Sequence, residues 1–131
     1  MIVRYLEEIE NGERTVEGNT WKSRRLLLRD DGLGFSLHDT LIYAGTSTHM
    51  QYSHHIEAVY CIAGSGRVRA VASGEEYPVT AGTLYALDRH DEHILLADTE
   101  MRMICVFNPP LRGDETHDEN GAYPPAKDDL R

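Results

Sequence analysis

Two glycine-framed segments of the chain carry side chains that suit a metal site. The first segment runs Gly45, five residues, Gln51-Tyr52-Ser53, three residues, Glu57, six residues and Gly64. In the second, His93 follows Gly82 by eleven positions. A carboxylate and an imidazole can hold a metal, but catalytic sites commonly supply three protein ligands. The chemistry therefore depends on a third ligand.

Tyr85 is the candidate for that third ligand. Strand alternation across residues 83–87 puts Tyr85 on one face with Thr83 and Leu87, from which it can point into a barrel. A carboxylate, a phenolate and an imidazole form an oxygen-rich site with open coordination positions, which favours iron, as Fe2+, over a structural zinc. The alternative is that all three are ordinary core residues, with the Tyr85 hydroxyl capped.

The remaining histidines are weaker candidates. His54 and His55 lie in the loop where ligands are expected and are alternative ligands displaced by one or two positions. His90 is three residues from His93, which places the two on opposite faces of an extended chain. We predict that His49, His54 and His90 are exposed to solvent.

Short runs of β-favouring residues between glycine-bearing turns have to position these side chains. Helical periodicity is confined to a short turn at residues 6–10. The predicted strands are residues 25–29, 34–43, 57–63, 67–72, 75–79, 83–87, 93–97 and 101–108. The pair flanking Ser73-Gly74 is predicted to form a hairpin. Seven or eight strands at about ten-residue spacing predict an all-β barrel or sandwich.

The two glycine frames resemble the motifs of cupins, which are small jelly-roll β-barrels. The first cupin motif carries His-x-His where this chain has Gln51 and Ser53, whereas Glu57 and both flanking glycines are in place. The resemblance implies a single cupin domain. We expect the barrel to span residues 1–110 and a C-terminal segment to span residues 111–131.

Composition limits the classes of partner. The chain has 131 residues, enough for one domain with its own core, and a formal net charge of −9. This acidic balance argues against nucleic acid and anionic membranes as partners, because both reward a basic surface. The apolar runs are too short to span a bilayer, and the N-terminus is too charged for a signal peptide. With only Cys61 and Cys105, no disulfide framework is expected, and we predict a cytoplasmic protein.

The C-terminal segment allows two interpretations. Its richness in Pro, Gly and acidic residues is typical of a disordered tail. It also carries Glu115, His117 and Tyr123 and leaves directly from a strand end, which favours a lid over the barrel opening.

Several blocks of sequence are similar to the ectoine synthase family. They are WKSRRLLL at 21–28, GFSLHDT at 34–40, EAVYCI at 57–62, YALD at 85–88, MRMICVFNPPL at 101–111 and HDENGAYP at 117–124. The similarity runs nearly end to end. It implies a cupin fold, a homodimer, and an enzyme that closes N-γ-acetyl-2,4-diaminobutyrate into ectoine with loss of water.

The resemblance also implies roles for individual residues. The iron ligands are expected at Glu57, Tyr85 and His93. Substrate binding is expected at Trp21, Arg25, Thr40, Tyr52, Cys105, Phe107, Glu115 and His117. Tyr52, Tyr85 and Glu115 are the candidates for proton transfer, in no particular order.

Two of these expectations agree with the spacing of the residues. Trp21 and Arg25 are four apart and share a face, and a guanidinium can clamp a substrate carboxylate with two parallel hydrogen bonds. Cys105 and Phe107 alternate onto one strand face together with Met103, which favours a pocket wall. The competing interpretations are another metal-dependent cupin enzyme, such as an isomerase or an iron dioxygenase, and a non-catalytic ligand-binding cupin.

Overall fold

A computed structural model describes residues 1–113, 116 and 121–123 of the chain. Within these residues one helix, α1 (Leu6–Ile9), and one 3-10 turn, Arg29–Asp31, accompany ten strands. The strands are β1 (Thr15–Glu17), β2 (Trp21–Leu27), β3 (Ser36–Ile42), β4 (Ser47–Met50), β5 (Ile56–Ala63), β6 (Ser65–Ala70), β7 (Glu76–Thr80), β8 (Leu84–Leu87), β9 (His93–Ala97) and β10 (Met101–Asn108). No helix in the described part of the chain is long and apolar enough to cross a membrane.

The strands form two antiparallel sheets that share one core. A six-stranded sheet has the order β1-β2-β3-β10-β5-β8, and a four-stranded sheet has the order β4-β9-β6-β7. Alternate side chains point to one side of each strand, so β10 buries Met101, Met103, Cys105 and Phe107. A single cluster of buried apolar residues joins the inner faces of both sheets. This is the jelly-roll barrel of cupins, and it confirms the prediction of an all-β cupin domain.

Three strands differ from the prediction. β1 and β4 were not expected, and β2 begins at Trp21 instead of residue 25. The inner face of β2 carries Trp21, Ser23 and Arg25, which are all buried although two of them are polar. Hydrophobic periodicity cannot detect a strand whose buried face is polar, because the apolar alternation on which it relies is missing.

The turn between the predicted strands 57–63 and 67–72, which carries Gly64 and Gly66, is short, and β6 already begins at Ser65. Both glycines lie against a neighbouring backbone. A Cβ on Gly64 would lie 2.1 Å from the Glu100 carbonyl oxygen, and one on Gly66 would lie 2.2 Å from that of Leu96. Only glycine allows the strands to approach this closely.

The C-terminal segment begins as part of the barrel. Leu111 is fully buried, its amide donates to Ser36 Oγ, and its carbonyl accepts the Arg29 amide over 2.8 Å. Ala122 and Tyr123 are buried as well. Glu115, His117 and most of the proposed lid lie outside the described residues, so the lid stays a prediction.

Candidate active site

A narrow cavity with a volume of about 40 Å³ lies inside the barrel. Most of the wall comes from the inner faces of the six-stranded sheet. The lining residues are Trp21, Ser23, Thr40, Ile42, Met50, Tyr52, Glu57, Val59, Tyr85, Leu95, Met103, Cys105, Phe107 and Tyr123.

Strand register explains why the polar groups converge here. Glu57 on β5 is paired with Phe107 on β10 and with Leu87 on β8. Directly paired residues of antiparallel strands point to the same face, so Glu57 and Phe107 enter the cavity side by side. By the same rule Val59 brings Tyr85 onto this face from β8.

Glu57 is a buried carboxyl group with an altered acidity. Only 5% of its surface is exposed, and this burial raises the pKa of the carboxyl to about 8. The Cys105 thiol donates a hydrogen bond to Glu57, which offsets the rise in pKa in part. The thiol also forms a hydrogen bond with Thr40, so Thr40 and Cys105, two predicted substrate-binding residues, are linked to the Glu57 carboxyl by hydrogen bonds.

His93 presents a ring nitrogen that suits a metal. Its Nδ1 lies 2.9 Å from the Asp91 carbonyl oxygen, which can only accept, so Nδ1 carries the proton. Its Nε2 is buried and has no hydrogen-bond partner among the described residues. Burial also lowers the pKa of His93 and keeps the ring neutral. A backbone carbonyl that fixes the tautomer and leaves the other nitrogen free is the usual arrangement of a metal-binding histidine.

Tyr85 lies between Glu57 and His93. Its ring meets the His93 ring edge to face, with centroids 6.4 Å apart. Burial and the nearby Glu57 charge raise the pKa of the phenol well above its usual value. Within residues 1–113, 116 and 121–123, no three His, Cys, Asp or Glu side chains gather into a metal site. Among these residues, a third protein ligand beside Glu57 and His93 would be of another type, and the Tyr85 phenol is the candidate.

His93 does not line the main cavity. It lines a surface cleft that Tyr85 also borders, together with Asp88 and Asp91. Glu57 and Tyr85 therefore line the cavity, whereas His93 and Tyr85 line the cleft.

An aromatic cluster forms another wall of the cavity. The Tyr52 ring is stacked on Tyr123, with centroids 5.0 Å apart, and meets Phe107 edge to face at 5.2 Å. Tyr52 and Phe107 were predicted to bind substrate, whereas Tyr123 was given no place in the site. The only signal for Tyr123 was an aromatic residue in an otherwise polar segment, and this does not indicate that the residue lines the cavity.

Arg25, which the family resemblance predicts to bind substrate, lies outside the cavity lining. It is fully buried but is not among the residues that line the cavity. Its Nε donates to Ser23 Oγ over 3.2 Å, and a terminal nitrogen donates to the Gly113 carbonyl over 2.8 Å. Trp21, by contrast, lines the cavity.

The other histidines divide into exposed and buried sets. His49, His54 and His90 are exposed, as predicted. His55 is 2% exposed and packs edge to face on Phe107, outside the cavity lining. His38, which sequence reasoning gave no role, is buried beside Ser23 and Ser36. Glu115 and His117 lie outside the described residues.

Comparisons with known proteins identify the family. The family model described as ectoine synthase matches residues 1–127. An L-ectoine synthase from Desulfatibacillum aliphaticivorans is 60% identical over 126 residues, which are 95% of this chain and 97% of the relative. Another from Halalkalibacterium halodurans is 57% identical and covers 98% of this chain and 100% of the relative.

Solved structures give the same result. The crystal structure of ectoine synthase from P. lautus superposes with a TM-score of 0.87 at 53% identity and covers 97% of this chain and 94% of that one. The polyketide cyclase RemF from Streptomyces resistomycificus, at 18% identity and a TM-score of 0.68, shares the fold alone; it covers 92% of this chain and 89% of its own. The chain therefore belongs to the ectoine synthase family.

Proposed function

We propose that this chain is an L-ectoine synthase and that its substrate is N-γ-acetyl-L-2,4-diaminobutyrate. The free α-amine of the substrate attacks its own acetamide carbonyl, and loss of water leaves the cyclic amidine ectoine. The family membership carries this proposal, and a cavity with a buried carboxyl on its wall is suited to such a reaction.

We also propose that Fe2+ is held by Glu57, Tyr85 and His93. The unpartnered, buried Nε2 of His93 supports this assignment, because a neutral imidazole with its other nitrogen fixed is ready to donate a lone pair. The raised pKa of Glu57 also supports it, since a nearby cation would stabilise the buried carboxylate. When bound, the metal ion supplies a Lewis acid that polarises the acetamide carbonyl.

The protein walls contribute orientation and the exclusion of water. The substrate is flexible, and holding it folded with amine and carbonyl in contact can contribute roughly 7 kcal/mol or more to an intramolecular reaction. The rings of Trp21, Tyr52 and Phe107 line the cavity and restrict the shapes that fit. Because the reaction releases water and its reverse is hydrolysis, a closed C-terminal segment would favour ring closure.

The proton balance assigns a role to Tyr52. Ring closure removes a proton from the amine, and the departing hydroxide needs one to leave as water. Burial raises the pKa of Tyr52 and of Tyr85 well above the usual value, so both phenols keep their protons at neutral pH, and Tyr85 is already assigned to the metal. We propose that Tyr52 protonates the leaving group, whereas Tyr85 and Glu115 remain candidates for accepting the amine proton.

The direct test is to incubate the purified protein with N-γ-acetyl-2,4-diaminobutyrate and ferrous iron under anaerobic conditions. We expect ectoine to accumulate, measured by chromatography and NMR. His93→Ala should lose both bound iron, measured by elemental analysis, and cyclisation. Full activity of a wild-type protein stripped of metal would refute the role of the metal, and no product under any metal would refute the reaction.

We further propose a cytoplasmic homodimer. Large exposed apolar side chains on the outer surface of β5 and β8, with Tyr60 47% and Leu84 64% exposed, support a partner copy at this face. Two buried cysteines without a disulfide suit a reducing compartment. Light scattering after gel filtration should give twice the monomer mass. Leu84→Glu should shift it towards one monomer, whereas Leu33→Glu, in an exposed turn, should not.

A further inference from the structure

We propose that Tyr123 is a positioning residue of the cyclisation: its ring holds Tyr52 in place on the cavity wall and is itself fixed by Arg25 and Gly121. This inference rests on the proposed function, because Tyr52 is the residue whose position would matter. It adds Tyr123 to the site and gives Arg25 the role of fixing the Tyr123 ring.

The Tyr123 ring is enclosed on several sides. It is 5% exposed and lies nearly parallel to Tyr52, with an interplanar angle of 20°. Phe107 meets it edge to face, with centroids 5.3 Å apart, and so does His55 at 6.3 Å. The side chains of Tyr52 and Tyr123 also share a hydrogen bond. Tyr52 therefore depends on Tyr123 for one face of its ring.

Arg25 contacts both the Tyr123 ring and the start of the C-terminal segment. Its guanidinium carbon lies 5.7 Å from the centre of the Tyr123 ring, within the distance of a cation–π contact. The same guanidinium binds the Gly113 carbonyl. Arg25 thus fastens two points of the C-terminal segment to the barrel, which explains its complete burial without a place in the cavity lining.

Gly121 sets the position at which Tyr123 enters the barrel. Its φ is +71°, and a Cβ there would lie 2.0 Å from the His49 carbonyl oxygen and 2.9 Å from the Met50 Cα. The Gly121 carbonyl accepts the Gln51 amide over 3.2 Å. The end of β4 and the segment around Gly121 are therefore in direct backbone contact, and any side chain at position 121 would push them apart.

A displaced Tyr123 should affect catalysis more than folding. Residues 121–123 form none of the paired strands, so their detachment leaves both sheets intact. The stacked face of Tyr52 would be free, and its hydroxyl would no longer be held at one place on the wall. A displacement of about 1 Å in a reacting group can lower the rate about 100-fold.

The experiment compares two substitutions of the tyrosine in the full chain. Tyr123→Phe keeps the stacked ring and loses only the hydrogen bond to Tyr52, so it should retain more of the wild-type kcat than Tyr123→Ala, which should lower kcat about 10- to 100-fold. Tyr5→Ala removes a ring that is 60% exposed near the N-terminus and is the matched control. Far-UV circular dichroism confirms that each variant is folded.

A second pair of variants displaces the tyrosine without changing it. Gly121→Ala should reproduce the loss seen with Tyr123→Ala. Gly74→Ala is its control, because Gly74 has a φ of +74° and no atom within 4 Å of the added Cβ. The two alanines thus carry the same backbone strain, and only the one at position 121 meets a neighbouring strand.

Trp21 provides a readout that needs no substrate. It is the one tryptophan of the chain, is 5% exposed, and lines the same cavity as Tyr123. Acrylamide should quench its fluorescence more strongly in Gly121→Ala and Tyr123→Ala than in wild type and both controls. Equal quenching, or wild-type kcat in a folded Tyr123→Ala, would overturn the proposal. A wild-type protein that makes no ectoine would refute the proposed function alone, because the quenching comparison would still decide the role of Tyr123.

Discussion

The buried carboxyl of Glu57 should make the metal-free protein less stable as the pH rises. Its pKa in the folded protein is about 8, against 4.5 for an ordinary glutamate. A carboxyl with a raised pKa contributes stability that is fully present below pH 4.5 and is lost as the pH rises towards 8. The loss is about 1.4 kcal/mol per pH unit in this window, or about 5 kcal/mol in all. This total is a large fraction of the stability of a domain.

Glu57→Gln isolates this effect. Glutamine has nearly the same shape and does not ionise, so the difference in unfolding free energy between variant and wild type contains the Glu57 contribution. The buried histidines have lowered pKa values and lose stability in acid instead, but they are present in both proteins and cancel in the difference. Urea unfolding of chelator-treated protein from pH 5 to pH 8.5 measures that difference.

We expect the unfolding free energy of Glu57→Gln, relative to that of wild type, to rise steadily from pH 5 to pH 8.5. At pH 8.5 the variant should be the more stable protein. Ferrous iron should then stabilise wild type at high pH by mass action and leave Glu57→Gln nearly unchanged. Parallel pH profiles for the two proteins would refute the reasoning, because they would show that burial does not alter the acidity of Glu57.

Two further predictions concern the scaffold. Asp39→Ala should lower the unfolding free energy by about 3 kcal/mol, because the buried Arg24, 2.5 Å from the carboxylate, loses this partner. Arg102 binds the same carboxylate, but its side chain is 41% exposed, so Arg102→Ala should lower the unfolding free energy by less than about 1 kcal/mol. Equal losses in urea melts would contradict this ranking. Gly64→Ala should prevent stable folding, since φ is +90° and the Cβ meets a backbone oxygen, whereas Gly34→Ala, at +81° in open space, should cost about 1–2 kcal/mol. Similar yields and melting temperatures for these two variants would show that the close approach at Gly64 can relax.

The sequence was informative where side-chain alternation was regular. Tyr85 could be placed on an inner face because β8 alternates, and its partner Val59 lies on the same face as Glu57. The glycine spacing did not indicate that His93 would lie in the cleft beside Tyr85 instead of the main cavity. Local periodicity suffices for Tyr85 because its prediction depends on a single strand.

The sequence was uninformative where a position depends on contacts between distant segments. Nothing near Tyr123 indicates that it stacks on a residue 71 positions earlier (123 − 52), since the stack requires Gly121 to meet β4. Arg25 has the residue type of a carboxylate clamp, yet its partners at Ser23 and Gly113 are set by how the segment after β10 returns across the barrel. Such contacts follow from tertiary packing and leave no periodic pattern.

Two buried groups near Tyr85, the Glu57 carboxyl and the His93 ring, support the proposed metal site. The Glu57 carboxyl resists ionisation because it lacks solvent, and the His93 Nε2 is buried with an unused lone pair in the part of the chain that the structure describes. A water molecule could donate to Nε2 but would leave the carboxylate charge largely uncompensated. A hydrophobic neighbour would improve neither. A divalent cation held by both groups would stabilise the charged form of Glu57 and accept the lone pair of His93, so the costs that folding bears at this point would become binding energy for the metal.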